Sequence, residues 1–335
     1  MHTLSGRVAI SVLSGVLAAA PLVAFAQPVR VYQIGFLIQR PIPAGEAATA
    51  GTPVGEFVRA LRELGYVEGK SVVIHWRSAE GRLERLPELA SALAQQKVDI
   101  IVAPGAQAIS AAQQATRQIP IVMGTTGDPV GSGFVRTLQR PGGNITGLSD
   151  ITASDLGPKL VDLMRSAVPT LTHVALMTSP DNASHAALVK SIPAAAKRVQ
   201  VKVTLINARV PREFDAAFAT AARERAEAVI VAADGVFNTN AAQIAQTAEK
   251  YRLPVVSSYL QYADAGGLMS YGTSFAHNLR RAAVYVDKIL KGANPAELPV
   301  EQPSKIELIV NRRAAKAVGI SLPQDLLLRA DRVIE

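Results

Sequence analysis

Apolar residues along this chain fall into two kinds of run. Short continuous runs read as strands buried on both faces, and longer runs with a 3.6-residue rhythm read as amphipathic helices. Residues 31–38 (VYQIGFLI), Val72–Trp76, Asp99–Ala103 and Ile119–Gly124 are of the first kind. Between them Leu83, Leu86, Ala90, Leu93 and Ala94 fall on one helical face. The pattern then starts again. His173–Thr178, Val201–Ile206, Ala228–Ala233 and Pro254–Ser257 predict strands, and Ile244, Ala248 and Tyr251 mark a helical face among them. Strands without polar alternation, interleaved with helices, predict parallel sheets covered on both sides. The wording of the halves corresponds too: Asp99-Ile-Ile-Val-Ala leads through a helix to Gln118-Ile-Pro-Ile-Val, and Ala228-Val-Ile-Val-Ala leads to Arg252-Leu-Pro-Val-Val. The expectation is an α/β protein of two similarly built lobes.

A turn-rich stretch, Arg140-Pro-Gly-Gly-Asn-Ile-Thr-Gly, closes the first lobe. After the second lobe comes Gly266-Gly-Leu-Met-Ser-Tyr-Gly. Then a long helix carries Phe275, Leu279, Ala282, Val286, Ile289 and Leu290 on one face and stops at Gly292. A strand at Ile306–Val310 and a helix pair, Arg312–Val318 and Gln324–Arg329, end the chain. A tail placed after two complete lobes can add elements to both. That gives crossings near 145–150, 268–274 and 297–304.

The first 26 residues stand apart from this pattern. Arg7 precedes a nearly uncharged run, Val8–Phe25, and Ala24-Phe25-Ala26 is a small-x-small cleavage site. This predicts a secretory signal peptide (1–26) and a periplasmic protein beginning at Gln27. The alternative, a membrane anchor, needs ~20 apolar residues without the interruption at Pro21. The chain has no cysteine. That excludes disulfides, thiol catalysis, Cys-ligated zinc and a lipid-anchored N-terminal cysteine. The net charge of +8 is scattered, with no Lys/Arg block and no basic-aromatic interleaving. It therefore reads as solvated surface, and no nucleic acid partner is expected.

Catalytic chemistry is hard to find. There is no G-x-S-x-G elbow, no phosphate loop, and no G-x-G-x-x-G after the first strand. His75, His173, His185 and His277 have no metal-ligand spacing. No catalytic residue, metal or cofactor is expected.

Motifs throughout the chain resemble a family of ABC transporter substrate-binding proteins that includes tryptophan-binding components. They include Leu64-Gly-Tyr-Val-Glu-Gly-Lys, Arg85-Leu-Pro-Glu-Leu-Ala, Asp128-Pro-Val-Gly-Ser-Gly and Arg140-Pro-Gly-Gly-Asn-Ile-Thr-Gly. Ile289-Leu-Lys-Gly-Ala-Asn-Pro-Ala-Glu-Leu-Pro-Val and Asn311-Arg-Arg-Ala-Ala-Lys-Ala-Val-Gly-Ile belong with them. The resemblance implies the type I periplasmic binding protein fold: two Rossmann-like lobes with parallel sheets and three inter-lobe crossings. The N-terminal lobe is then 27–147 plus 274–297, and the C-terminal lobe 148–273 plus 298–335. It also implies a monomer that captures a small-molecule ligand, an amino acid or related carboxylate, by hinge closure for an ABC permease in the inner membrane. A periplasmic sensor serving a membrane receptor is the alternative, and a hydrolase the weaker one. Characterised relatives bind aromatic amino acids, but only 5% of this chain is aromatic and Trp76 is its single tryptophan.

In such a fold the carboxyl ends of strands, and the helix N-termini after them, face the ligand. Thr125 and Thr126, with the N–H groups near Gly105 and Ala106, are the expected carboxylate donors. Asp234 is the expected ammonium partner, and Phe237 and Tyr259 the apolar wall. Asp128, Ser179 and Asn182 stand at further strand ends. Thr125 and Ser179 can equally cap helices, and Asp128 reads first as an N-cap. Gln39 opens a long loop after the first strand, which either walls the cleft or is a surface insertion.

Overall fold

The computed structural model describes residues 30–302 and 306–335, so the expected signal peptide lies outside the described residues. Five strands form the first sheet: β1 (Tyr32–Ile38), β2 (Val72–Ser78), β3 (Ile100–Ala103), β4 (Ile121–Met123) and β5 (Ile145–Gly147), in the order β2-β1-β3-β4-β5. All its pairings are parallel. The second sheet contains β6 (His173–Thr178), β7 (Lys202–Asn207), β8 (Ala228–Val231), β9 (Val255–Ser257), β10 (Met269–Gly272), β11 (Glu307–Asn311) and β12 (Arg332–Ile334). Its order is β12-β11-β10-β9-β8-β6-β7. Strands β6 to β10 thus repeat the wiring of β1 to β5. In both, the chain reverses direction across the sheet beside its first strand, the place where open α/β sheets form a crevice.

Helices cover both faces of each sheet. In the first lobe these are α1 (Pro53–Glu63), α2 (Leu86–Gln95) and α3 (Ala106–Ala115). Next come α4 (Ala153–Ala167), α5 (His185–Arg198), α6 (Phe214–Arg223), α7 (Gly235–Thr239), α8 (Ala241–Lys250) and α9 (Gln261–Asp264). The tail supplies α10 (Phe275–Leu290), α11 (Arg312–Ala317) and α12 (Gln324–Leu328). Alternate side chains of a strand point to opposite faces. Ile34, Phe36 and Ile38 share a core with Phe57 and Leu61 of α1 and Leu279 and Val286 of α10. Leu37 joins Leu93 and Ile109 on the other face. In the second lobe Val174 and Leu176 meet Leu160, Met164 and Ile192, while Ala175 and Met177 meet Phe214, Phe218 and Ile244. Helix α10 follows β10 of the second sheet in sequence yet packs against α1 in the first lobe.

The chain therefore passes between lobes at 148–152, at 273–274 and again between β5-bound Glu301 and β11. The backbone ties two of these passages together: Glu301 N–H donates to Gly147 O (2.9 Å), and Ser149 N–H donates to Glu301 O (2.9 Å). Arg281 of α10 grips the Glu301 carboxylate with two bonds of 2.9 and 2.7 Å.

Three details differ from the sequence expectation. The turn-rich stretch contains β5, because Ile145–Gly147 completes the first sheet beside β4. The second sheet is not wholly parallel: β11 runs antiparallel to β10, since the third crossing brings the chain back in the opposite direction. Leu83 stands in a 3-10 turn rather than in the helix, which starts only at Leu86, with Pro87 in its first turn.

Candidate functional site

The residues that follow the carboxyl ends of the strands converge on one cleft between the lobes. Counted out into open solvent, its empty space is about 790 Å³. Gln39 after β1, Gly105 and Ala106 after β3, Thr125 and Thr126 after β4, Asn182 after β6, Asp234 after β8 and Tyr259 after β9 all line it.

Gly105 caps α3 with φ +99°, and among the described residues no side-chain cap accepts from the first-turn N–H groups. These amides have no intrahelical partners and carry the positive end of the helix dipole. Beside them stands Thr126, 4% exposed, whose hydroxyl has no hydrogen-bond partner among the described residues. An uncapped helix start and an unpaired buried hydroxyl together suit an anionic oxygen.

Thr125 serves differently from the expectation. Its hydroxyl donates to Asp150 Oδ2 (3.1 Å), while Thr273 Oγ1 (2.8 Å) and Ile151 N–H (3.2 Å) donate to Asp150 Oδ1. The donors come from the first lobe, the second crossing and the first crossing, so one carboxylate joins three parts of the molecule. The residue also lines the cavity. Burial pushes the Asp150 carboxyl above its ordinary range, against three hydrogen bonds that pull it down. Every one of these donors is neutral, so none of them compensates the negative charge.

Asp234 is bound more fully. Its Oδ1 accepts from Val236 N–H (2.8 Å), capping α7, and its Oδ2 accepts from Asn182 Nδ2 (2.8 Å) and Gln107 Nε2 (2.7 Å). Beneath it His185 Nδ1 accepts from Ser179 N–H (3.0 Å), which puts the ring proton on Nε2, facing Ala233 O (3.1 Å). Burial lowers the His185 pKa and keeps the ring neutral.

Three expected site residues lie elsewhere. Phe237 is fully buried between Phe214 and His185 in the second-lobe core, because the short α7 turns it inward. Ser179 is buried behind the cavity wall, engaged through its backbone with His185. Asp128 holds a turn by accepting Gly131 N–H (2.7 Å). Trp76 packs on Phe36 at 4.9 Å between ring centroids, away from the cleft. The long loop does wall the cavity: Arg40 lines it, fixed by a bidentate pair with Glu46. Among the described residues no cluster of His, Cys, Asp or Glu could hold a metal, and no helix is long and apolar enough to cross a membrane.

Residues 49–334 match the family described as ABC transporter substrate binding protein. The chain belongs to this family. A curated relative, the tyrosine-binding protein of Clostridioides difficile, is 24% identical over 264 residues, 79% of this chain and 75% of that protein. The structure is similar to an ABC domain from Streptococcus pneumoniae in complex with L-Trp: TM-score 0.81 and 23% identity, covering 90% of this chain and 99% of that one. It is also similar to the ligand-free, open structure of a substrate binding protein with adhesive properties from Clostridium difficile. There the TM-score is 0.63 and the identity 24%, with 90% and 99% covered. The fold is that of type I periplasmic binding proteins.

Within this substrate-binding protein, sequence reasoning missed Asp150, Thr273, Asn278 and Phe275 as cavity residues. Asp150 sits just past β5, a strand hidden in turn-like text. Thr273 and the start of α10 reach the cleft only because the second crossing passes through it. The recurrence of a strand end at each crossing was the one available signal.

Proposed function

We propose that the protein is the extracytoplasmic solute-binding component of an ABC importer, delivering to an inner-membrane permease, and that it binds without transforming its ligand. It works as a monomer that closes on a small zwitterion, an amino acid. The sequence supports export through residues 1–26 and lobes of 27–147 with 274–297 and 148–273 with 298–335. The observation that carries the reading is one cleft with two neighbouring poles of opposite charge, since Asp150 N–H donates to Thr126 O at 2.8 Å. At one, the α3 N-terminus and the unpaired Thr126 hydroxyl suit a carboxylate; at the other, Asp150 suits an ammonium. Tyr259 and Phe275 offer the apolar wall. The names of the tyrosine-binding relative and of the L-Trp complex make aromatic amino acids the first solutes to test.

Closure follows from this arrangement. A ligand touching both lobes favours the state in which both reach it. The higher TM-score to the L-Trp complex than to the open structure fits a closed lobe arrangement here.

Thermal melting with the L-amino acids, and with their decarboxylated and deaminated counterparts, tests the reading. A bound solute raises Tm by about 2.7 kcal/mol of added stability at 100 times its Kd. Only compounds with both charges should do so; a shift with none of them counts against the proposal. Thr126→Val should weaken binding of an effective amino acid about tenfold, the worth of one hydrogen bond to a charged group, as isothermal titration would measure.

A further inference from the structure

Several polar side chains in the cleft hold one another across it. Gln39 Nε2 donates to Gln107 Oε1 at 3.3 Å, and Gln107 Nε2 donates to Asp234 Oδ2 at 2.7 Å. Gln107 belongs to α3 of the first lobe, whereas Asp234 caps α7 of the second. Asn182 Nδ2 reaches the same Asp234 oxygen from behind, at 2.8 Å. The chain of bonds thus runs from the end of β1, through the gap, into the base of the opposite lobe. Gln39, Asn182 and Asp234 are 4%, 5% and 3% exposed, whereas Gln107 between them is half-buried, so the carboxylate end of the row is shielded from water.

Both walls are shaped to admit it. A Cβ on Gly105 would fall 2.4 Å from Gln39 Nε2, and one on Gly235 would fall 3.2 Å from Gln39 Cβ. Glycine on each lobe lets the Gln39 side chain lie between two helix starts. A hydrogen bond to a buried carboxylate is among the stronger neutral-donor bonds, and losing the donor leaves the charge poorly solvated. Opening the lobes exchanges the Gln107–Asp234 bond for water on both partners. This bond therefore favours the closed state whatever the solute contributes.

We propose that Gln107 is a positioning residue for closure: its bond to Asp234 latches the two lobes and sets how long a captured solute is retained. The inference rests on the reading of the cleft as a site that closes on solute. It assigns Asp234 to the latch and leaves the solute's positive charge to Asp150.

The test separates the latch from the solute. Small-angle scattering on the ligand-free full chain compares the unaltered protein with Gln107→Leu and Gln107→Glu. Both variants should show a larger radius of gyration, Gln107→Glu the more so, because two carboxylates then face each other. Adding Asp234→Asn to Gln107→Glu restores a donor–acceptor pair with the roles exchanged, and should return the radius toward that of the unaltered protein. A defect that was merely structural would not be repaired by that exchange. Stopped-flow fluorescence with L-tyrosine as the probe should show koff raised about 10- to 100-fold in Gln107→Leu, with kon changed far less. Unchanged scattering in both single variants, or no recovery in the double variant, overturns the latch. Failure of the unaltered protein to bind L-tyrosine counts against the aromatic amino acid reading alone, and the scattering comparison still decides the latch.

Discussion

Asp150→Asn is expected to reduce affinity for an amino acid solute about 100-fold or more, while leaving the ligand-free protein as stable as before, or more so, at neutral pH. The two outcomes have one cause. Asp150 is a half-buried carboxylate held, among the described residues, by the neutral donors Thr125, Thr273 and the Ile151 amide. Its charge becomes favourable only when a cation enters the cavity. Replacing it removes the counter-charge for a desolvated ammonium, a loss of the size seen when one partner of a buried charged pair is truncated. Without solute, the same replacement removes a desolvation cost. Titration calorimetry measures the first effect and thermal melting the second. An Asp150→Asn protein that binds amino acids normally would sink the assignment.

The pH dependence follows with a definite sign. Burial raises the Asp150 pKa above its ordinary value of 3.8. The ligand-free fold therefore holds this proton more tightly than the unfolded chain does. The contribution of Asp150 to stability falls as pH rises from 3.8 through the raised folded value, then stays constant. Solute binding runs the other way, strengthening as Asp150 ionises and weakening as pH drops below that value. An arriving ammonium favours the ionised form, so binding in this window releases protons. Calorimetry in buffers of different ionisation enthalpy would detect the release, and Asp150→Asn should abolish it.

The second large effect is on folding. Gly147→Ala should destabilise the protein by about 3 kcal/mol or more, lowering Tm by several degrees. Gly147 has φ +127°, and a Cβ there would lie 2.4 Å from Met123 O and 2.6 Å from Met123 N. Backbone conformation and backbone contact both exclude a side chain, and no rotamer relieves either. The position pairs with Met123 at the edge of the first sheet, and its carbonyl accepts Glu301 N–H from the third crossing. Relief by local movement would thus disturb the hinge as well. A variant melting within about 1 °C of the unaltered protein would contradict this.

Strands buried on both faces were legible because their apolar runs are continuous. His173–Thr178 has the expected bounds, and most others differ by one to three residues at an end. β5 and β12 were not, since three-residue strands in Gly-rich or charged text, Ile145–Gly147 and Arg332–Ile334, carry too few apolar positions to register. The cleft was legible to the extent that strand ends in this wiring must face it; Thr126 and the Gly105 turn were found that way. What the sequence could not apportion was hydrogen-bond occupancy. Thr125 and Asp234 look like free ligand groups in one dimension, yet each is engaged by neighbours 25 or more positions away. Asp150 looks like a hinge residue and lines the cavity. Phe237 entered the core because α7 spans only Gly235–Thr239, too short for pattern to fix which side faces inward.

The late arrival of α10 has a consequence for the order in which the molecule assembles during synthesis. The first sheet is complete by residue 147, but one of its faces is covered only by α1 until Phe275–Leu290 emerges and finishes that core. Strands β11 and β12 of the second sheet come later still. Chains of separable domains fold from the front as they leave the ribosome. This one is deprived of that route: neither half can seal its interior before nearly the whole polypeptide exists.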